Sequence, residues 1–351
     1  MYKLDKLFRT AFKYGASDLY VFTGIKPVLR IHGELITIKE HPVLAGEQVQ
    51  EYIYEFLSDQ QKKTLEKTKD LDLSLEIGDI GRFRVNVFFE RRGICAAFRL
   101  IPDEVRSLDD LKLPDQLKNI TEFPHGLVIT TGPTGSGKST TLAAIINEFN
   151  AYKNKHIVTI EDPIEFVHKN KKSIIQQREI GSHTQSFTKA LRAALREDIN
   201  VLLVGEMRDL ETISLAITAA ETGHLVLGSL HTAGAAKSID RIIDVFPKEQ
   251  QSQIRAQISE TLRCVIWQQL LKTSDKKGRV ASLEILFNNN AIANMIRKEK
   301  TYQIDSAIET GKKEGMVTMK SSLMDLIEKG KVTMEEAAKF IPQEFEEEEN
   351  E

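Results

Sequence analysis

The stretch Gly126 to Thr141, GLVITTGPTGSGKSTT, constrains this chain more than any other. Leu127 to Thr130 is an apolar run that predicts a buried strand, and Ser139 to Phe149 has the composition of a helix. Between them Gly132, Gly135, Gly137, Lys138 and Ser139 fit G-x-x-x-x-G-K-[ST]. Glycines let the backbone curl until successive N–H groups point inward at the positive end of a helix, which makes a concave anion site. Lys138 is then placed to reach the β- and γ-phosphates of ATP, and Ser139 to offer its hydroxyl to Mg2+. The expected cradle is Gly132, Pro133, Thr134, Gly135, Ser136, Gly137, Lys138, Ser139 and Thr140. From Gly126 onward strands and helices alternate, so the expected fold class is α/β, with parallel βα units and the phosphate site at a strand's carboxyl end.

At 351 residues the chain has room for two domains with their own cores, because single cores usually stop growing near about 250 to 300 residues. It carries 48 basic and 51 acidic residues, a net charge of -3 that gives no global attraction to nucleic acid or anionic lipid and leaves only local patches open. Cys95 and Cys264 lie far apart and write neither a disulfide framework nor a C-x-x-C zinc site, which fits a reducing compartment. No apolar run approaches the roughly 18 residues of a membrane span, and the charged start MYKLDKLFRTAFKYGASD lacks the apolar centre of a signal peptide. The expectation is a cytoplasmic protein without direct membrane insertion.

Four regions are expected: residues 1–101 as an α+β domain, 102–125 as a linker with a hinge near Pro102 and Pro114, 126–340 as the nucleotide domain, and 341–351 as a solvated acidic tail. Leu4, Leu7, Phe8 and Ala11 fall at helical spacing, SDLYVF and PVLRIHGELITI read as strands, and EQVQEYIYEFLSDQQKKTLEKT reads as helical. DLDLSLEIGDIGRFRVNVFFE predicts a hairpin turning at Gly78 to Gly81, followed by the strand GICAAFRLIP.

Four more stretches carry chemistry. INVLLVGEM predicts a strand ending at Glu206, the expected partner of Mg2+ through water; a capping role for the helix that starts near Asp209 is the alternative. HIVTIEDPIEF predicts a strand, neighbouring the phosphate loop, that runs into Glu161, Asp162 and Glu165. Glu161 is the expected base for the attacking water, with Asp162 and Glu165 supporting it. ETGHLVLGSLHT separates His224 from His231 by one strand; His231 stands where an imidazole can sense a γ-phosphate, and His224 is either supporting or structural. Arg82, Arg84 and Arg99 come from RFRVNVFFERRG and AAFRL, with Arg82 and Arg84 on one strand face by their spacing. They either project towards a phosphate or pair with Asp70, Asp72 or Glu76.

Taken in order, GASDLYV, GPTGSGKSTTLAAI, IEDPIEF, QREIGSHTQSFTKALRAALRED, VLLVGEMRDLETI, AAETGHLVLGSLHT and IDRIIDVFP resemble the PilT family over nearly the whole chain. These are the retraction ATPases of type IV pili, within the superfamily of type II secretion and type IV pilus ATPases. The resemblance implies a RecA-like P-loop ATPase core with a smaller PAS-like amino-terminal domain. It also implies a homohexameric ring in which each amino-terminal domain packs on the next subunit's core with ATP at the junction, so that arginines of GRFRVNVF act in trans. The ring would work on an inner-membrane pilus platform protein, with no nucleic acid expected. The additional amino-terminal domain and four-cysteine zinc module of extension and secretion relatives do not fit into this chain. One departure stands out: AIANMIRK replaces the family's AIRNLIRE, with Ala293 for arginine and Lys298 for the acidic residue. That suits an accessory or diverged pilus or secretion assembly ATPase as the alternative. A nucleic-acid-pulling ring is disfavoured by the charge balance, and a binding module without turnover by the presence of both Glu161 and Glu206.

Overall fold

A computed structural model of the chain describes residues 3–31, 33–78, 80–101, 105–276 and 278–340, in two compact units, Met1–Glu104 and Val105–Glu351. Pro102 and the acidic run 341–351 lie outside the described residues. Among those residues no helix is long and apolar enough to cross a membrane, and Cys95 and Cys264 are free and buried.

In the first unit α1 (Asp5–Lys13) buries Leu7, Phe8 and Ala11, with Leu4 buried just ahead of it. Phe8 is packed on Phe83 and Phe98 at centroid distances of 4.7 and 5.0 Å. Then come β1 (Asp18–Phe22), β2 (Val28–Ile31), β3 (Glu34–Thr37), α2 (Gly46–Tyr54), α3 (Asp59–Thr68), β4 (Asp70–Ile77), β5 (Gly81–Glu90) and β6 (Gly93–Ile101). The stretch expected as one helical run divides at Ser58, whose hydroxyl accepts from Gln61 N at 3.3 Å while Gln61 Oε1 accepts from Ser58 N at 2.9 Å. This reciprocal cap satisfies donors that a continuous helix would not expose. The strands form one sheet in the order β3-β2-β1-β6-β5-β4, antiparallel throughout. Along β5, Phe83, Val85 and Val87 enter the core, and Arg82 and Arg84 take the other face, as a period of two requires.

The second unit begins before its first strand. Leu108, Leu113, Leu117 and Ile120, the last two in a 3-10 helix over Asp115–Glu122, are buried against Ile145, Ile146 and Phe149. Residues 105–125, expected as linker, are thus part of this unit's core, because sparse leucines among prolines and charges suffice to anchor a short helix. The elements that follow are β7 (Gly126–Thr131), α4 (Lys138–Tyr152), β8 (His156–Glu161), β9 (Ile174–Glu179), α5 (Phe187–Ala194), β10 (Val201–Val204), α6 (Leu210–Glu221), β11 (Leu225–Leu230), α7 (Ala235–Asp244), α8 (Lys248–Thr261), β12 (Leu262–Lys272), β13 (Arg279–Phe287), α9 (Asn290–Arg297), α10 (Ile304–Thr310), α11 (Met319–Glu328) and α12 (Met334–Ala338).

The sheet order is β13-β12-β7-β11-β10-β8-β9, with only the β12–β13 pair antiparallel. Apolar clusters lie on both faces of this sheet, which is why its central strands read as unbroken Val/Ile/Leu runs. Their carboxyl ends, Thr131, Leu230, Val204 and Glu161, share one edge. The order corrects one expectation. β8 does not neighbour the strand that leads into the phosphate loop; β11 and β12 do. Crossover connections put β11 and β10 between β7 and β8, about 14 Å apart at the usual strand spacing.

Candidate nucleotide site

The loop between β7 and α4 takes its shape from glycines with positive φ, +145° at Gly132, +81° at Gly135 and +89° at Gly137. A Cβ on Gly132 would stand 2.4 Å from Gln268 O, and one on Gly137 2.7 Å from Gln268 Nε2. Both glycines are therefore required by the close approach of β12 as well as by φ. Gln268 holds the loop from the side: its Nε2 donates to Ser136 O at 2.7 Å and its Oε1 accepts from Thr141 Oγ1 at 2.6 Å. Sequence reasoning missed it, although a glutamine pair inside the apolar run CVIWQQLL was a usable signal.

Lys138 is buried and folds back on its own loop, donating to Gly132 O at 2.8 Å and Pro133 O at 3.0 Å. Burial lowers its pKa, opposed by the charges of Glu206 and Glu165. Ser136 Oγ is buried without a hydrogen-bond partner. Inward-turned glycines, a captive ammonium and an unpartnered hydroxyl together fit a polyphosphate. Ser139 and Thr140 stand partly exposed in the first turn of α4. The hydroxyl of Ser139 and the carboxylate of Glu206 are hard oxygen donors of the kind Mg2+ takes.

Glu206 follows β10, and His231 follows β11, the strand beside β7. Glu206 Oε1 lies 3.2 Å from His231 Nε2 and also bonds Arg208 Nε. The cap of α6 is Asp209, which accepts from Thr212 N at 2.9 Å, so Glu206 is not needed for that purpose. Burial pushes the His231 pKa down, Lys138 adds to this, and Glu206 works against it. Thr232 pins this strand end: its N–H donates to Thr131 Oγ1 at 2.9 Å, and its hydroxyl meets Ser238 Oγ on α7 at 2.6 Å.

Glu161 ends β8 with Oε1 accepting from Thr159 Oγ1 at 2.6 Å and from Gln177 Nε2 at 3.3 Å. Burial raises its pKa against those bonds. Asp162 and Glu165 are exposed on the following loop, and the charge of Glu165, rather than that of Glu161, acts on Lys138. His224 stands at the other end of β11. Its carbonyl accepts from Gly126 N at 3.0 Å and its Nδ1 lies 3.1 Å from Ala219 O, a structural placement away from the phosphate loop. In the first unit Arg84 faces Arg99 across β5 and β6. Arg99 Nε bonds the buried Asp18 at 3.0 Å, whereas Arg84 has no side-chain partner among the described residues. Arg82 shares the face of Arg84 and lies opposite Glu76 on β4.

Residues 2–339 match the family model of type II/IV secretion system proteins. A twitching motility protein of Neisseria gonorrhoeae is 50% identical over 336 residues, covering 96% of this chain and 90% of that protein. The type IV pilus retraction ATPase PilT of Pseudomonas aeruginosa is 48% identical, covering 97% and 99%. The chain belongs to the PilT family of type II/IV secretion system proteins. A solved structure of the pilus retraction motor PilT with bound ADP superposes with a TM-score of 0.92 at 44% identity, covering 99% of both chains. The PilT-family fold expected from the sequence is therefore present, an α/β ATPase core preceded by a smaller α+β unit. The departure in AIANMIRK leaves the local backbone of this PilT-family chain intact. Asn289 caps α9 through Ile292 N at 3.0 Å, Ala293 is buried, and Lys298 ends the helix.

Proposed function

We propose that this chain is a Mg2+-dependent ATPase that works as a homohexameric motor and shortens type IV pili. The observation that carries the reading is the gathering of Lys138, Glu206 and His231 at one edge of a parallel sheet, in a chain about half identical to a twitching motility protein over nearly its whole length. In this reading Lys138 exchanges Gly132 O and Pro133 O for the β- and γ-phosphates, and Ser136 and the loop N–H groups complete the cradle. Ser139 and, through water, Glu206 would hold Mg2+, which would supply positive charge against the phosphates. Glu161 takes the proton of the attacking water, so that the water oxygen bonds the γ-phosphorus and ADP departs. His231 senses the γ-phosphate and passes its presence to α7 through Thr232 and Ser238.

Arg84, with Arg82 and Arg99 beside it, is proposed to act on the phosphates of a neighbouring copy in the ring, where a trans arginine typically contributes about 10³ to 10⁵ in rate. Coupling needs contacts that differ between ligand states, and γ-phosphate contacts supply them. The motor is proposed to be cytoplasmic and to work on an inner-membrane platform protein, without nucleic acid. Deleting the gene in its host tests the direction of force: surplus pili that cannot shorten support retraction, and bare cells point to extension. The altered charges at Ala293 and Lys298 favour a second reading, an accessory motor, which predicts pili that still shorten after deletion but more weakly.

A further inference from the structure

The side chain of Gln177 ties Glu161 to the far end of the acidic loop that follows it. Gln177 lies on the edge strand β9 in register with Thr159. Its Nε2 donates to Glu161 Oε1 at 3.3 Å and to Phe166 O at 2.8 Å, and its Oε1 accepts from His168 N at 2.8 Å. One amide thus uses both hydrogens and its oxygen to fix the carboxylate at the end of β8 and the far flank of the acidic loop that follows it. Glu179, two residues along β9 and on the same face, adds a bond to Ile164 N at 3.1 Å. An edge strand of an open sheet needs none of this for its own pairing; the hydrogen bonds converge on one carboxylate and its loop.

We propose that Gln177 is a positioning residue for ATP hydrolysis, aiming the Glu161 carboxylate from the neighbouring strand β9 while Thr159, two residues earlier on β8, holds the same oxygen. This rests on the reading of Glu161 as the base. Other charged groups surround it: Asp162 and Glu165 on its own loop, Glu179 across on β9, and Glu206 with Arg208 beyond Gly205, where a Cβ would approach Glu161 Cα to 3.2 Å. Of these, Glu165 raises the Glu161 pKa, and burial raises it more, whereas the donors Thr159 and Gln177 lower it. A base must be ionised to accept a proton, so turnover is lost as pH falls through its pKa. Removing a donor to the ionised form raises that pKa and moves the loss to higher pH.

The test is the pH profile of kcat and of KM for ATP, measured on the full-length assembled protein, for Gln177→Leu, Gln177→Glu and Thr159→Val, with Glu161→Gln as reference. The expected result is an acid limb displaced to higher pH in all three variants. Gln177→Glu is displaced most, because it keeps the acceptor for His168 N and sets a second carboxylate beside the first, and KM on the alkaline plateau stays near the parent's. Each unit of displacement reads as about tenfold lower turnover on the acid side. Should Gln177→Leu prove unfolded by circular dichroism, the isosteric Gln177→Glu and the separate strand variant Thr159→Val decide the matter. An inactive Glu161→Gln beside unshifted limbs in the folded variants overturns the role of Gln177 alone. A fully active Glu161→Gln removes the base itself, and the proposal with it.

Discussion

Glu206 Oε1 and His231 Nε2 stand 3.2 Å apart at the ends of the adjacent strands β10 and β11, and Arg208 bonds the same oxygen. The imidazole pKa is pushed down by burial and by Lys138 and held up by Glu206, so at neutral pH the ring is mainly neutral and shares the pair as a hydrogen bond. Replacing Glu206 by Gln removes the charge that supports protonation, and the His231 pKa falls further. ATP binding should survive this change while turnover drops at least about a hundredfold, the scale of a lost electrostatic contact at a reacting centre. Titrating 13C-labelled histidine and measuring phosphate release check both halves. Wild-type turnover in Glu206→Gln would take the residue out of the site.

Gln268 is expected to matter to nucleotide affinity without touching nucleotide. It bonds Ser136 O and Thr141 Oγ1, on opposite sides of Lys138. Replacing it with Leu leaves a buried hydroxyl and a buried carbonyl unpaired, at a cost of about 1 to 3 kcal/mol each. Part of that cost is expected to appear as an approximately tenfold weaker dissociation constant for ADP. Calorimetric titration with a melting curve for each sample measures it, and unchanged affinity in a folded variant would reduce Gln268 to ordinary packing.

The loop glycines are not equivalent in the nucleotide-free protein. Gly132→Ala drives a Cβ to 2.4 Å from the backbone oxygen of Gln268, which cannot swing away, whereas at Gly135 no atom lies within 4 Å and only the positive φ resists. The second costs about 1 kcal/mol, and the first must cost more because β12 or the loop has to move. Melting temperatures without nucleotide should therefore rank wild type, Gly135→Ala, Gly132→Ala in descending order. Equal losses would mean that the contact with β12 is soft.

The phosphate loop, Glu206 and His231 were legible because each follows closely on a strand whose apolar run marks it, and the carboxyl ends of parallel strands share one edge of the sheet. Strand order was not legible. The place of β8 beyond β11 and β10 is decided by crossovers that pack helices on both faces, which no local pattern encodes. His231 was singled out over His224 because one strand separates them, and six strand residues put them about 20 Å apart at opposite ends of the sheet. Gln268 escaped notice because it acts from a strand remote in sequence and its only trace is a polar pair interrupting an apolar run, and Gln177 because the strand IIQQRE is too polar for its pattern to single out one side chain. The leucines of residues 108–120 were diluted by the charges and prolines around them.

Glu284, on β13, carries the last prediction. It is buried, accepts from Ala235 N at 2.8 Å at the start of α7, and has its pKa raised to about 7, chiefly by burial. In the unfolded chain the same carboxyl titrates near about 4.3. The folded state therefore holds a proton that the unfolded state releases, so this group's contribution to stability falls as pH rises between those values and is fully lost above the folded pKa. A neutral isostere should remove the penalty. Glu284→Gln keeps an oxygen for Ala235 N, so it is expected to melt several degrees above the parent at pH 8, with little difference at pH 5. Thermal unfolding at the two pH values checks this. A variant destabilised equally at both would mean that the carboxylate is ionised and tied to the start of α7 throughout, and that its charge helps to hold the segment following His231.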